Sequence, residues 1–168
     1  FARIARAYPG AGAWNVRLMD RLLAMGRRVT PLAGSDAHGL VEFGNCWTGV
    51  YAPRCTAKSI VDRLAAGNCF ASEAPFLDFT CNGKPMGSKL KPKKGTALKL
   101  RFRAADSLGL NTVKLISDGK VIKEIHAKGA QLVEETLTRK ATGARTYFRL
   151  ECAANDDLRA FSAPIYVN

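Results

Sequence analysis

The hydrophobic period of this chain changes once, near residue 76, and that change constrains the fold more than any other feature. Before it, apolar residues recur at helical spacing; after it, they alternate one by one. Val16, Met19, Leu22 and Leu23 stand three and four apart and give one apolar face to a helix over 15–25. Gly26 is its stop, with Arg27 and Arg28 near the negative helix end. Residues 29–33 read as a buried strand in which Pro31 demands an edge or a bulge. A second short strand is expected over 46–51. Thr56 caps a helix that runs to Ala66 and stops at Gly67, with Ile60, Val61 and Leu64 as its apolar stripe. One more strand is expected at 69–71. Alternating helices and strands of this kind fit the closing units of an α/β barrel.

Beyond residue 76 the pattern is that of half-buried strands. Residues 76–81 end in Asn82-Gly83, a hairpin signal. Leu98, Leu100 and Phe102 alternate with Lys99, Arg101 and Arg103, so one face is apolar and the other basic. Residues 113–116 and 121–125 flank Asp118-Gly119 and predict a second hairpin. Further strands are expected at 132–137, 146–152 and 160–167, the last with Pro164 at an edge. Six or seven short strands separated by turns predict an antiparallel β-sandwich of immunoglobulin-like type. The expected class is α+β: residues 1–75 as terminal βα units of a barrel, residues 76–168 as the sandwich. A chain of 168 residues, 47% hydrophobic, has room for one ordinary domain or two small ones.

The segment Gly34-Ser35-Asp36-Ala37-His38-Gly39 carries the chemistry. An acid and an imidazole two residues apart, just past an expected strand end, point the same way if the backbone stays extended. Carboxylate oxygen and neutral imidazole nitrogen are ligands for zinc, manganese or iron. The competing reading of the pair alone is a polar turn, with Asp36 capping backbone amides and His38 exposed. The chain has only one other histidine, His126, whose surroundings suggest no ligand set and which reads as a strand-end residue.

The run 14–39, WNVRLMDRLLAMGRRVTPLAGSDAHG, resembles the last metal-binding motif of the PHP (polymerase and histidinol phosphatase) superfamily of metal-dependent phosphoesterases. The run 56–90 is similar to its carbaryl-hydrolase-like branch, in which a β-rich domain follows the barrel from a Gly-Pro-Phe-Leu-Asp-Phe type segment. Ala74 stands here in place of that Gly, before Pro75-Phe76-Leu77-Asp78-Phe79. The resemblance implies a distorted barrel of βα units, a cluster of divalent metals (Mn, Zn or Fe) and a phosphoester or other ester substrate. It implies Asp36 and His38 as metal ligands. The His-x-His pair that opens the family's ligand set is absent from this sequence, so only the last motif carries over. Two ligands fall short of the three that a catalytic zinc takes from protein. The chain is therefore expected to be the C-terminal part of a larger enzyme, inactive alone, with Val29, Leu32 and Trp47 lacking barrel neighbours and self-association as a consequence.

Other signals narrow the alternatives. Gly83-Lys84-Pro85-Met86-Gly87-Ser88-Lys89 is no phosphate loop: only three residues separate the glycines, Ser and Lys are reversed, and no helix pattern follows. No Gly-x-Ser-x-Gly elbow exists. Five cysteines at irregular spacing, without Cys-x-x-Cys, read as buried reduced thiols and mildly favour a reducing compartment. The net charge of +12 is uneven: residues 1–83 hold 9 Lys/Arg against 6 Asp/Glu, and residues 84–168 hold 17 against 8. Five lysines within 84–94 attract phosphate or nucleic acid in principle, but no aromatic residues interleave with them, and a solvated loop is the preferred reading. No run approaches the ~20 apolar residues that span a bilayer. The alternative to an enzyme part is a non-catalytic β-sandwich module that binds a partner through its basic face.

Overall fold

A computed structural model describes residues 11–168 of the backbone and side chains from residue 16. Two helices, α1 (Ala11–Ala24) and α2 (Ala57–Ala66), accompany twelve strands. In chain order these are β1 (Trp47–Val50), β2 (Cys69–Ser72), β3 (Phe76–Cys81), β4 (Lys84–Pro85), β5 (Lys89–Leu90), β6 (Ala97–Ala105), β7 (Leu110–Ser117), β8 (Lys120–His126), β9 (Leu132–Lys140), β10 (Thr146–Ala154), β11 (Arg159–Ser162) and β12 (Ile165–Val167). Among the described residues no helix is long and apolar enough to cross a membrane.

The strands form two sheets. The smaller has the order β4-β3-β6-β9; in the larger, β8-β7-β10 continues into β11 and β12 laid end to end along one side of β10. Taking β3, β6 and β9 on one sheet and β8, β7, β10 and β11/β12 on the other gives a Greek-key sandwich of immunoglobulin-like type, as the alternation predicts. Two hairpins close where the sequence marks them. Asn82 and Gly83 have φ of 49° and 73°, Asp118 and Gly119 have 50° and 76°, the positive values that a two-residue I′ turn requires. The final expected strand is two strands, because Pro164 breaks the ladder between Ser162 and Ile165. After β4 the chain changes sheet, and β5 pairs in parallel with β12. At that crossing Gly87 (φ 83°) meets the backbone of Gly67, where an added Cβ would lie 2.3 Å from the Gly67 carbonyl.

Between the sheets lies one core. Leu77 and Phe79 of β3, Leu98, Leu100 and Phe102 of β6, Leu110, Val113 and Leu115 of β7, and Leu150 of β10 are at most 1% exposed. Their outward neighbours are polar. On the outer face of the smaller sheet Lys99 and Arg101 are exposed, and Arg103 pairs with Glu134. The basic face therefore exists, but Glu134 on the adjacent strand neutralises one end of it.

The N-terminal expectation needs correction. Residues 29–33 belong to no strand, and β1 and β2 do not run parallel as βα units. They pair antiparallel with each other, Trp47 opposite Ser72, and β2 pairs with β11, so the large sheet runs on across residue 75. The physical reason is tertiary: β2 is taken up by β11, and its side chain Phe70 belongs to the sandwich core. Val29 and Trp47 accordingly find neighbours within the chain. Trp47 packs edge-on to Phe70 with ring centroids 5.3 Å apart, and Val29 joins Met19, Leu23, Tyr147 and Tyr166. Leu32, by contrast, is exposed.

Candidate functional site

The Asp36–Phe43 turn is held at the end of a tether built on the outer face of the large sheet. Its first anchor is α1. Met19 and Leu23 pack on Tyr147 and Tyr166, and Asp20 receives the guanidinium of Arg149 from β10. Nε and Nη2 of Arg149 donate to the two carboxylate oxygens of Asp20 at 2.8 and 2.7 Å, a bidentate fork. Tyr147 donates its hydroxyl to Asp20 at 3.0 Å, and Glu151 takes the remaining Arg149 nitrogen. The Arg149 side chain is 3% exposed. Burial alone would lower its pKa, but bonding to Asp20 and the charges of Glu151 and Asp20 outweigh that and raise it.

Residues 27–34 then pass over the sheet as a strap outside any strand. With no neighbouring strand, its backbone groups are met by side-chain hydroxyls. Tyr166 Oη accepts from Val29 N at 3.1 Å and donates to Val29 O at 3.2 Å. Thr48 Oγ1 accepts from Ala33 N and donates to Ala33 O, both at 2.9 Å. A hydroxyl can do this because it is donor and acceptor at once. Tyr166 is kept protonated by burial, which raises its pKa and preserves the donating half of the pair. Arg28 lies 5.5 Å from the Tyr166 ring centroid and donates to Gly87 O.

Asp36 and His38 follow the strap, not a strand end. Asp36 has φ of 47°, a left-handed conformation that Asp tolerates, and both residues are exposed. The His38 ring lies 2.8 Å, through Nδ1, from the backbone oxygen of Asp36. A carbonyl oxygen only accepts, so this contact calls for a hydrogen on Nδ1. The backbone N–H of His38 donates to Glu42 at 2.8 Å, and a 3₁₀ turn, Leu40–Glu42, follows. Within that turn Phe43 N bonds to Leu40 O, and Asn45 Nδ2 bonds to Val41 O. Leu40, Val41 and Phe43 are 95%, 83% and 81% exposed, the highest values among the exposed large hydrophobic residues whose side chains are described.

The structure thus joins the His38 ring to the backbone of Asp36, and both side chains are exposed. Among the described residues no group of three His, Cys, Asp or Glu stands close enough to hold a metal ion. His126 ends β8 opposite Thr112, exposed, as the sequence suggests. Cys46, Cys69, Cys81 and Cys152 are buried free thiols and Cys55 is exposed. Burial pushes Cys69 and Cys81 up to about 11 and Cys152 to about 12. Sequence reasoning missed Tyr166, Thr48 and the Asp20–Arg149 pair. Tyr166 and Arg149 act across 137 and 129 residues, and no local pattern marks such partners.

Comparison with known proteins agrees on the N-terminal half. Residues 20–69 match the family model PHP_C, described as PHP-associated, so the chain carries a PHP-associated region. An uncharacterized protein of Chlamydia pneumoniae is 26% identical over 145 residues, covering 76% of this chain and 23% of its own length. The chain thus spans about a quarter of that relative. Among solved structures, the sulfur carrier protein SoxY of Chlorobium limicola matches 55% of this chain and 78% of its own, at 11% identity and a TM-score of 0.39. A fibronectin(III)-like module of Clostridium thermocellum CbhA matches 55% and 93%, at 22% identity and a TM-score of 0.38. The sandwich assignment rests on the strand pairing described above.

Proposed function

We propose that these 168 residues are the C-terminal portion of a longer, PHP-type metal-dependent phosphoesterase, with Asp36 and His38 as metal ligands and the sandwich as an accessory domain. The carbaryl-hydrolase-like branch is the relative we favour. Residues 1–75 then work with the barrel, although β1 and β2 share a sheet with residues 76–168.

The observation that carries this reading is the bond from His38 Nδ1 to the Asp36 carbonyl. Metal-ligating histidines commonly donate the other ring N–H to a carbonyl or carboxylate, which fixes tautomer and orientation. His38 makes that bond through Nδ1 and is exposed. Asp36 adds an exposed carboxylate two residues earlier. The donor set fits one corner of a manganese, zinc or iron site whose other ligands come from the rest of the polypeptide. A divalent metal held there supplies an activated water and a clamp on phosphate oxygens. The contribution of this chain is orientation. The Asp36 carbonyl holds the His38 ring in its ligating tautomer, and Glu42 fixes the backbone at His38.

Manganese titrated into the isolated chain and followed by ¹⁵N NMR tests the ligand assignment. Paramagnetic broadening is expected to centre on Asp36 and His38, to be weak in affinity, and to vanish in His38→Ala. Broadening elsewhere, or an Nε2-protonated His38 ring, would sink the assignment.

A further inference from the structure

We infer that the turn carrying Leu40 and Phe43 is a docking surface for the barrel portion of the same longer polypeptide, and that its docking sets Asp36 and His38 in place. This rests on the metal reading above. The turn is the most exposed apolar feature of the described chain, yet it is not slack. His38 N to Glu42, Phe43 N to Leu40 O and Asn45 Nδ2 to Val41 O close it on itself, so Leu40 and Phe43 are held outward. An apolar surface kept exposed by a built scaffold marks an interaction site.

The occupant follows from ligand geometry. Metal–ligand bonds to imidazole and carboxylate are about 2.0–2.2 Å, so whatever supplies the missing ligands lies within a few ångströms of Asp36 and His38. Leu40 is two residues from His38. Any element bearing those ligands must cover the neighbouring turn as well, and its contact with Leu40 and Phe43 is what can hold it there. A relative of which this chain spans about a quarter has ample length to provide such an element. On the sandwich the outer face of β6 is Lys99, Arg101 and Arg103, and the most exposed large apolar residue, Leu108 at 67%, is less exposed than Leu40 or Phe43. Leu40 and Phe43 are thus positioning residues for the metal centre, not ligands.

Hydrogen exchange of residues 38–46, compared between the longer polypeptide and the 168-residue chain, is the test. We expect at least about tenfold slower exchange in the longer polypeptide. Leu40→Asp with Phe43→Asp should restore fast exchange and lower metal content several-fold. The same double change should leave the melting temperature of the 168-residue chain unaltered, because both side chains are exposed there. Equal exchange in the two proteins, or undiminished metal in the double variant, would overturn the inference. Protection that grows with the concentration of the 168-residue chain alone would assign the turn to a second copy and overturn it too. Slow exchange together with full metal in Asp36→Ala would uphold docking while removing the ligand reading.

Discussion

The sandwich strands and the PHP-associated segment are both amphipathic in sequence, yet they end in opposite states. Leu98, Leu100 and Phe102 of β6 are 1%, 0% and 1% exposed. The stripe of α2 obeys its period just as well, but no residue of that helix is buried, and Val61 is 62% exposed. Leu32, Leu40, Val41 and Phe43 are exposed in the same segment. Periodicity states which face seeks cover; it does not state whether the cover lies in the same stretch of chain. The sandwich contains both halves of its core. The segment over 20–69 is tied to it by α1, the strap, β1 and β2, and leaves Leu32, Leu40, Val41, Phe43 and Val61 exposed.

The largest expected effect lies in the sandwich. Phe79→Ala removes a fully buried ring and should cost about 3–5 kcal/mol in denaturant unfolding. A loss within about 0.5 kcal/mol would mean that the two sheets do not form a common core.

Next is the tie between the regions. Asp20→Ala leaves the buried Arg149 with Glu151 alone and should cost about 3 kcal/mol. Exchange protection should fall over α1 and the strap while β6 and β7 stay protected. Uniform loss across the chain would show one cooperative unit instead of two unequal regions.

Smaller still is the effect of Tyr166→Phe, which orphans the Val29 N–H and carbonyl at one point of the strap. About 1–2 kcal/mol is expected, with faster exchange at Val29. An unchanged Val29 amide would show that the hydroxyl is not its partner.

The mildest change is with pH. Cys69 and Cys81 at about 11 and Cys152 at about 12 lie above the ordinary 9.0, so the folded state favours their neutral thiols. Their stabilisation is complete below pH 9 and is lost as pH rises toward 11–12. At neutral pH a thiol reagent should label Cys55 rapidly and the buried thiols only on unfolding. Rapid labelling of Cys81 in the native protein would refute the buried setting.

Legibility follows the same division. Both hairpins were readable because Asn82-Gly83 and Asp118-Gly119 carry their geometry in two residues. The α2 boundaries were readable because Thr56 accepts from Ser59 N and Gly67 takes a left-handed φ of 77°. Residues 29–33 misled because Val29 and Ala33 satisfy their backbone groups through Tyr166 and Thr48, and an extended strap shares its composition with a buried strand. The antiparallel pairing of β1 and β2 was not readable, because pairing direction is set with distant strands such as β11. Asp36 and His38 were visible as a pair. The carbonyl that joins them was not, since it depends on a left-handed φ at Asp36.

If Asp36 and His38 complete a metal centre with the rest of a longer polypeptide, as proposed above, bound metal depends on both side chains. Metal content per chain, measured by plasma mass spectrometry on that polypeptide alongside Asp36→Ala and His38→Ala, tests it most directly. Both variants should lose bound metal, and phosphoester hydrolysis should fall by more than the about 10–100-fold that loss of an outer-shell partner costs. Full metal content and unchanged hydrolysis in both variants would contradict it.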